Sequence, residues 1–179
     1  MVDRFLDRLA SAFEVRDDTV PPGDYPFTIY QWRYQGLQQD LVLQPVCGLS
    51  ELIPRFPELI QSGVPVEVLP DMSEPRLFDE LDEQHYALWA EAKKQHEDKT
   101  RQLATYRLAS FETGHRARLA LLNDQLLKTT DDRIRRMRQS QIASAESDFA
   151  RRRAEIERSI TEADITAQPI AFGVMRVKH

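Results

Sequence analysis

The residues most suggestive of chemistry lie in one stretch, TTDDRIRRMRQSQ at positions 129–141, which holds four arginines within six positions. Guanidinium groups bind phosphate through paired hydrogen bonds, so such a run is typical of a nucleic-acid-binding surface. The surrounding block is also basic. Residues 99–138 contain 10 Lys and Arg against 4 Asp and Glu, whereas residues 1–98 contain 8 against 19. The sequence therefore indicates a candidate site for an anionic partner in this basic block.

Helical geometry divides these arginines into two pairs. Arg135 and Arg136 point away from the apolar side of a helix turning about 100° per residue, and each follows an aspartate by four residues, the spacing of a helical ion pair. Arg133 and Arg138 lie beside the apolar stripe, where a returning helix would bring Asp124 near them. We expect Arg133, Arg138 and Asp124 to brace a seam between helices. The candidate nucleic-acid or partner contacts are Arg116, Arg118, Arg135 and Arg136.

Residues 82–85 read DEQH, the letters of a helicase acidic box, whose acid reaches the Mg²⁺ of a bound nucleotide. In such enzymes the box follows a buried strand. Here it follows SEPRLFDEL, which is typical of a helix start, and the sequence has no G-x-x-x-x-G-K-[ST] loop to hold phosphates. We therefore interpret the letters as a coincidence.

The other reactive residue types also favour structural roles. The four histidines, at positions 85, 96, 115 and 179, show neither i,i+4 spacing nor an accompanying cysteine pattern, so no metal site is expected. Cys47 has no histidine near it in the sequence and is interpreted as a buried small side chain. Tyr30, Trp32 and Tyr34 alternate along a predicted strand and could stack on bases, but a place in the core is the favoured interpretation. No catalytic, cofactor-binding or metal-binding residue is expected, and the sequence does not predict an enzyme.

Composition limits the classes of protein that remain. A single cysteine excludes an intramolecular disulfide and fits a reducing compartment. No apolar run approaches the roughly 20 residues that a membrane helix needs, and the N-terminal residues do not resemble a signal peptide. The sequence predicts a cytoplasmic protein with no membrane contact.

Proline divides the chain into two kinds of structure. Nine of the ten prolines lie between Pro21 and Pro75, and the 93 residues from there to Pro169 contain none and only one glycine, Gly114. Long helices are therefore expected in the second region and shorter elements in the first. The shorter elements are a helix over 2–13, strands over 27–34 and 41–46, a helix over 50–61 and an edge strand over 64–70.

Two long helices are predicted over residues 76–163. The first begins near residues 74–77, and the all-polar stretch KKQHEDKTRQ at 93–102 either projects into solvent or marks a bend. Thr129 and Thr130 form the turn, with Thr129 and Asp132 at the spacing of a capping box, and the second helix spans 131–163. The predicted apolar faces are Leu77, Leu81, Leu88 and Ala92, then Leu103, Tyr106, Phe111, Leu119, Leu122 and Leu126 on the first helix, and Ile134, Met137, Ala145, Phe149, Ile156 and Ile160 on the second.

A short turn between two long helices requires them to run antiparallel as a helical hairpin, a coiled-coil-like arm. After the hairpin, residues 165–177 alternate and are β-rich, so they are expected to return to the N-terminal strands. The predicted fold class is α+β, with a small antiparallel sheet built from N-terminal strands and the C-terminal strand. Residues 1–75 and 164–179 would form the base and residues 76–163 the inserted hairpin, as one structural unit.

The last third of the chain resembles a known family. The segment RIRRMRQSQIASAESDFARRRAEIERSITEADITAQPIAFGVMRV, residues 133–177, looks like the C-terminal end of bacterial Swi/Snf-type, RapA-like helicases and translocases. In those proteins a long charged helix with R-x-x-E-I/L-E patterns runs into an A-D-I junction and an apolar terminal strand. The helix here is 133–163, the junction is Ala163-Asp164-Ile165, and the strand is 170–177. The order of elements agrees over nearly the whole chain.

This resemblance implies a helicase C-terminal domain that is not itself catalytic. Both motor lobes of the family are missing from the sequence, so no ATPase residue carries over to it. The implied partners are helicase or ATPase motor domains, in cis or in trans, with RNA polymerase or DNA as further candidates. Two alternatives stay open: a stand-alone DNA-binding or RNA-binding protein that uses residues 99–138, and a self-associating coiled-coil protein.

Overall fold

A computed structural model of the chain describes the backbone of residues 9–66 and 75–179, and the side chains of residues 12–66 and 79–179. It confirms the α+β class. The strands and helices, in chain order, are β1 (Leu9–Arg16), β2 (Gly23–Gln35), β3 (Asp40–Cys47), a 3₁₀ helix (Ser50–Arg55), α1 (Phe56–Ser62), β4 (Val64–Pro65), α2 (Pro75–Leu127), α3 (Asp132–Thr161) and β5 (Asp164–Lys178).

The five described strands form a mixed sheet in the order β3-β2-β5-β1-β4. β1 runs antiparallel to β4, with Phe13 opposite Pro65, but parallel to β5, with Ala12 opposite Val174. The prediction of an antiparallel sheet is therefore wrong for this pair. Two strands separated by most of the chain are not joined by a tight hairpin loop, so nothing local forces them to be antiparallel. The prediction that the C-terminal strand joins N-terminal strands is confirmed.

The predicted N-terminal helix is wrong over residues 9–13, which belong to β1, and its first residues lie outside the described part of the chain. Phe13 and Val15 in this strand are both buried. Apolar residues at positions 9, 10 and 13 satisfy a helical period, but positions 13 and 15 also fit the two-residue period of a strand. Pairing with β5 along the whole strand decides between the two patterns.

The core of the sheet collects apolar side chains from every described strand except β4 and from the helices after β3. Phe27 of β2 lies between Phe13 of β1 and Phe56 of α1, with ring centroids 5.4 and 5.2 Å away. The predicted strands over 27–34 and 41–46 and the helix over 50–61 are confirmed, as is the edge position of the strand that begins at Val64. Residues 67–70, which that prediction included, lie outside the described residues. The other members of this core are Val15, Val20, Cys47, Leu52, Leu59, Met175 and Val177.

The first long helix, α2, starts at Pro75 as predicted and continues through the polar stretch 93–102. Thr100 in that stretch and Ala104 just after it are buried. The stretch therefore does not project wholly into solvent. The predicted apolar face of α2 is confirmed at Leu81 and Leu122, which are buried. It is wrong at Leu88 and Tyr106, which are 44% and 67% exposed. Histidine and threonine replace aliphatic residues at several inward positions, which hides the true face from a hydropathy pattern.

The turn between the helices is placed correctly by the sequence, but its cap is not. Asp131, not Thr129, is the N-cap of α3, and its Oδ1 accepts hydrogen bonds from the backbone N–H groups of Arg133 and Ile134 at 2.7 and 3.2 Å. The Thr129 hydroxyl instead donates to the carbonyl of Gln125 at the end of α2, at 2.7 Å. The aspartate accepts from two of the first free N–H groups of α3, so it replaces the predicted capping box.

The inward face of α3 differs from the prediction at its start. Ala145 is buried and Phe149 is half-buried, as expected, but Ile134 and Met137 are 42% and 47% exposed. Half-buried and buried positions continue back from Ala145 in steps of three and four to Arg138. That spacing is typical of the contact line between two packed helices. Ile134 and Met137 lie to the side of this line.

The chain divides into two compact units. The first comprises residues 1–33, 40–93 and 165–179, and the second comprises residues 34–39 and 94–164. The boundary lies within α2. In the second unit, Gly36 has a φ of 123°, and a Cβ on it would lie 3.1 Å from both the Cα of Ala163 and the carbonyl oxygen of Ser159. Glycine at position 36 therefore allows the residue 34–39 segment to pack closely against the end of α3.

Candidate functional site

Two residues of the DEQH motif, Asp82 and His85, join a cluster of side chains in the first unit. The Tyr30 hydroxyl donates a hydrogen bond to Asp82, and Trp32 Nε1 donates one to His85 Nε2 at 2.9 Å. The Tyr30 ring stacks on the His85 imidazole at a centroid distance of 3.4 Å and an angle of 8°. Tyr30, Trp32 and His85 are all buried, which confirms the core interpretation of the first two. The acid and the histidine of the motif therefore join α2 to β2.

The electrostatics of His85 fit this role. Burial lowers the pKa of His85 below its usual value of 6.5, and the negative charge of Asp82 opposes that shift. Since Nε2 accepts the hydrogen bond from Trp32, it carries no proton, and the neutral imidazole is the form that the cluster requires.

Other titratable groups of the first unit are also engaged in structure. Thr19 donates to Asp17 Oδ1 from its N–H and its hydroxyl, at 2.9 and 2.5 Å, and Arg55 Nη1 lies 2.6 Å from Oδ2. The Thr19 hydrogen bonds, and then Arg55, hold the pKa of Asp17 below its usual value against the effect of burial. Cys47 is fully buried, as predicted, and burial raises the pKa of its thiol.

A different kind of site lies in the second unit, in a cleft of about 530 Å³ between α2 and α3. This volume is within the range of about 300–1,000 Å³ typical of small-molecule sites. Its walls combine cationic, aromatic and small side chains. They are Arg107, Ser110, Phe111, Gly114, His115 and Arg118 from α2, and Ala145, Asp148, Phe149, Arg152 and Ile156 from α3.

Aromatic side chains form one wall of this cleft. Phe149 of α3 stacks on both Phe111 and His115 of α2, with centroid distances of 5.2 and 4.1 Å and ring angles of 19° and 7°. The guanidinium of Arg152 lies 5.7 Å from the centroid of Phe111. These contacts join the two helices and place aromatic rings beside the cleft.

The charge of the cleft is positive and uncompensated. Within the described residues, Arg107, Arg118 and Arg152 form no ion pair with a carboxylate. The one acid in the wall, Asp148, is already paired with Arg151, at 3.0 Å, which does not line the cleft. Since α2 offers Arg107 and Arg118 no acid three or four residues away, their charges are available to an anion.

The arginines singled out in the sequence occupy different surroundings. Arg118 lines the cleft, whereas Arg116, Arg135 and Arg136 are exposed outside it. Arg136 Nε donates to its own helix, to the carbonyl of Asp132 at 3.3 Å. Arg136 therefore contacts the backbone carbonyl of Asp132 and not the Asp132 side chain, with which the sequence predicted an ion pair.

The three residues expected at the seam, Arg133, Arg138 and Asp124, are not described in contact with one another. Arg138 is half-buried and donates from Nη1 to Gln141 Oε1 at 2.8 Å, while Arg133 is exposed. Asp124 forms its ion pair with Lys128, which directly follows α2, at 2.7 Å. Bracing of the hairpin by Arg133, Arg138 and Asp124 stays a prediction.

Sequence reasoning missed most of the cleft. Arg107, Phe111, His115 and Arg118 recur at steps of four and three on one face of α2, a mixed pattern that neither a charge count nor a hydropathy period detects. Gly114 was the available signal. It is the only glycine among residues 76–168 of the sequence, and a Cβ there would meet no atom within 4 Å.

Comparison with known proteins neither supports nor opposes these assignments: no family model and no curated protein matches the sequence. Among the described residues, no helix is both long and apolar enough to cross a membrane, and no three or more His, Cys, Asp or Glu side chains are grouped to hold a metal ion.

Proposed function

We propose that the chain is a non-catalytic interaction domain whose helical hairpin carries the binding surface. In this proposal it acts as the C-terminal accessory domain of a Swi/Snf-type translocase, positioning partners or regulating the motor. The resemblance of residues 133–177 to that family supports the identity of the partner as helicase or ATPase motor domains.

The observation that carries the proposal is the exposure of large apolar side chains near the hairpin turn. Leu121, Leu127, Ile134 and Met137 are 58%, 84%, 42% and 47% exposed. We call these four residues the tip residues. Exposed apolar groups of this size are typical anchors of protein interfaces.

The charges around the tip residues indicate the chemistry of the partner. Lys128, Arg133, Arg135 and Arg136 are all exposed near the turn, where they outnumber the three acids Asp124, Asp131 and Asp132. Asp124 is paired with Lys128, and Asp131 caps α3. A complementary surface would place apolar pockets among acidic groups, which also favours rapid and selective association. The expected partner is therefore an acidic face of another protein.

The first unit supports a binding role in a different way. Its reactive side chains, Asp82, His85, Asp17 and Cys47, contribute to packing, as described above. These contacts favour a structural role for the four side chains.

Site-specific photocrosslinking in cells tests this proposal. A photoreactive amino acid at Met137 is expected to crosslink to a protein that contains an ATPase motor. The same group at Glu155, an exposed position of α3 far from the turn, serves as the control and is expected to give no such product. The double variant Leu127→Asp, Ile134→Asp should remove the Met137 product, because charged groups replace the apolar anchors.

Three outcomes would count against it. Equal products from Met137 and Glu155 would show that the tip is not a specific surface. A product that nuclease digestion removes would indicate nucleic acid instead, and a product between two copies of the chain would indicate self-association.

A stand-alone nucleic-acid-binding protein using residues 99–138 is the second candidate, and one observation favours it. Arg107 and Arg118, both within this block, face the cleft without an ion pair among the described residues. Binding through several phosphates would weaken steeply as salt is raised, whereas no binding of DNA or RNA at low salt would remove this candidate.

A further inference from the structure

We infer that the cleft between α2 and α3 is a binding site for a nucleotide, with the phosphate held by Arg107, Arg118 or Arg152 and the base against the aromatic wall. A free nucleoside phosphate and one nucleotide of a single strand share this chemistry. The inference does not rest on the tip residues, which lie outside the cleft.

The first argument is electrostatic. Three guanidinium groups face one cleft whose only carboxylate, Asp148, is paired with Arg151. Guanidinium groups bind phosphate oxygens through two parallel hydrogen bonds, and all three of these arginines are exposed to an incoming ligand. The cleft is therefore suited to a ligand with at least one phosphate.

The second argument is the aromatic wall, which a simple anion would not need. Phe111, His115 and Phe149 all line the cleft and are half-buried. Bases stack on aromatic rings and on the planar guanidinium of arginine, and Arg152 already lies over the Phe111 ring. A ligand that has both a flat ring and a phosphate could contact the aromatic side chains and the arginines of the cleft together. Nucleotides are the common molecules with both groups.

The third argument is the space at Gly114. A Cβ at this position would meet no atom within 4 Å, although the residue lies mid-helix, where glycine is unfavourable. Gly114 is exposed and lines the cleft, so the space beside it is open. A larger side chain there would occupy the cleft without displacing any packed group.

Titration of the full chain with three probes tests the inference. The probes are a fluorescein-labelled oligothymidine of twelve nucleotides, AMP and inorganic phosphate, at low salt. We expect the oligothymidine to bind and AMP to displace it, because both place a nucleotide in the cleft, while phosphate competes at least about ten-fold less well for want of a base. Binding of AMP alone would identify a free nucleotide as the ligand and also support the site.

Variants matched in charge separate the cleft from the general basic surface. Arg107→Ala with Arg118→Ala is expected to weaken binding by about ten-fold or more, because each arginine supplies a charge-assisted hydrogen bond. Arg116→Ala with Arg135→Ala removes the same charge from exposed positions outside the cleft and should weaken binding by less than about three-fold. Equal losses in the two double variants would overturn the inference, since they would indicate diffuse attraction.

Gly114→Leu supplies a variant that fills the cleft and retains every cationic group. It should abolish binding of AMP and oligothymidine while keeping the helical circular dichroism and the melting temperature at or above those of the wild type. Unchanged binding in Gly114→Leu, or no binding of any probe by the wild type, would overturn the inference. Neither result would affect the crosslinking test at Met137. Failure of the inferred nucleotide site can therefore be distinguished from failure of the proposed protein-binding surface at the tip residues.

Discussion

His85 illustrates how the role of one residue depends on its surroundings. In the sequence, His85 is the last residue of a DEQH motif, a residue type and position compatible with acid–base chemistry, metal binding or nucleotide binding. In the structure it lies between the Tyr30 ring and the Trp32 N–H, where its neutral form is needed. The helix start before the motif indicates that the DEQH letters are a coincidence. The cluster with Tyr30 and Trp32 gives Asp82 and His85 a structural role.

His85 should make the stability of the first unit depend on pH. Its pKa in the folded chain is below 6.5, so the unfolded chain takes up the proton first as the pH falls. Stability is therefore fully present above pH 6.5 and is lost as the pH falls from there through the folded pKa. Denaturant unfolding, followed by the fluorescence of Trp32 and Trp89, should show this loss in the wild type and a flatter dependence in His85→Gln.

His115→Gln provides the matched control, because it removes a histidine of the other unit. It should retain the pH dependence of the wild type in the same fluorescence measurement. If His85→Gln and the wild type lost stability in parallel below pH 6.5, the assignment of a buried neutral His85 would be contradicted.

At the scale of elements, the two long helices follow from the absence of proline and from the turn residues, but their facing surfaces follow only in part. Ala104 and Ala145 are fully buried, and polar or charged side chains such as Thr100 and Arg138 share the inward positions. Small residues bring helix backbones close without contributing much to a hydropathy period. The predicted face was therefore displaced toward larger apolar residues such as Tyr106 and Met137, which are exposed.

Two glycines of the second unit should respond oppositely to the same substitution. Gly36 has a positive φ and close backbone neighbours, so Gly36→Ala should destabilise the chain by about 1–3 kcal/mol. Gly114 is helical with open space at its Cβ, so Gly114→Ala should stabilise it by about 0.5–1 kcal/mol.

Thermal unfolding followed by circular dichroism at a helical wavelength measures both effects, and each variant serves as the control for the other. Changes of the same sign would contradict either the turn geometry at Gly36 or the open space at Gly114.

At the scale of the whole molecule, charge is unevenly distributed along the sequence. The basic block 99–138 lies within the hairpin, and most of the excess acid is in residues 1–98. A second copy of the chain would bring its own Arg133, Arg135 and Arg136 against the same residues of the first if the tips met. Like charges in contact oppose such an interface, whereas an acidic partner would relieve them.

Light scattering at two protein concentrations tests this expectation. The mass should stay at that of one chain, 20.8 kDa, at both concentrations in low salt. A mass that rises with concentration would instead favour the self-associating coiled-coil alternative. The double variant Leu127→Asp, Ile134→Asp would then show whether the tip residues form that contact, since it should restore the mass of one chain.

The two long helices, the turn between them and most of the strands can be predicted from local properties of the sequence: the absence of proline, the period of apolar residues and the turn residues near position 129. Three features could not be predicted in this way: residues 9–13 form a strand, β1 runs parallel to β5, and Arg107, Arg118 and Arg152 line one cleft. Each of these depends on partners far away in the chain. Local patterns contain no information about which distant segment pairs with a strand or which side chains of a second helix face the first.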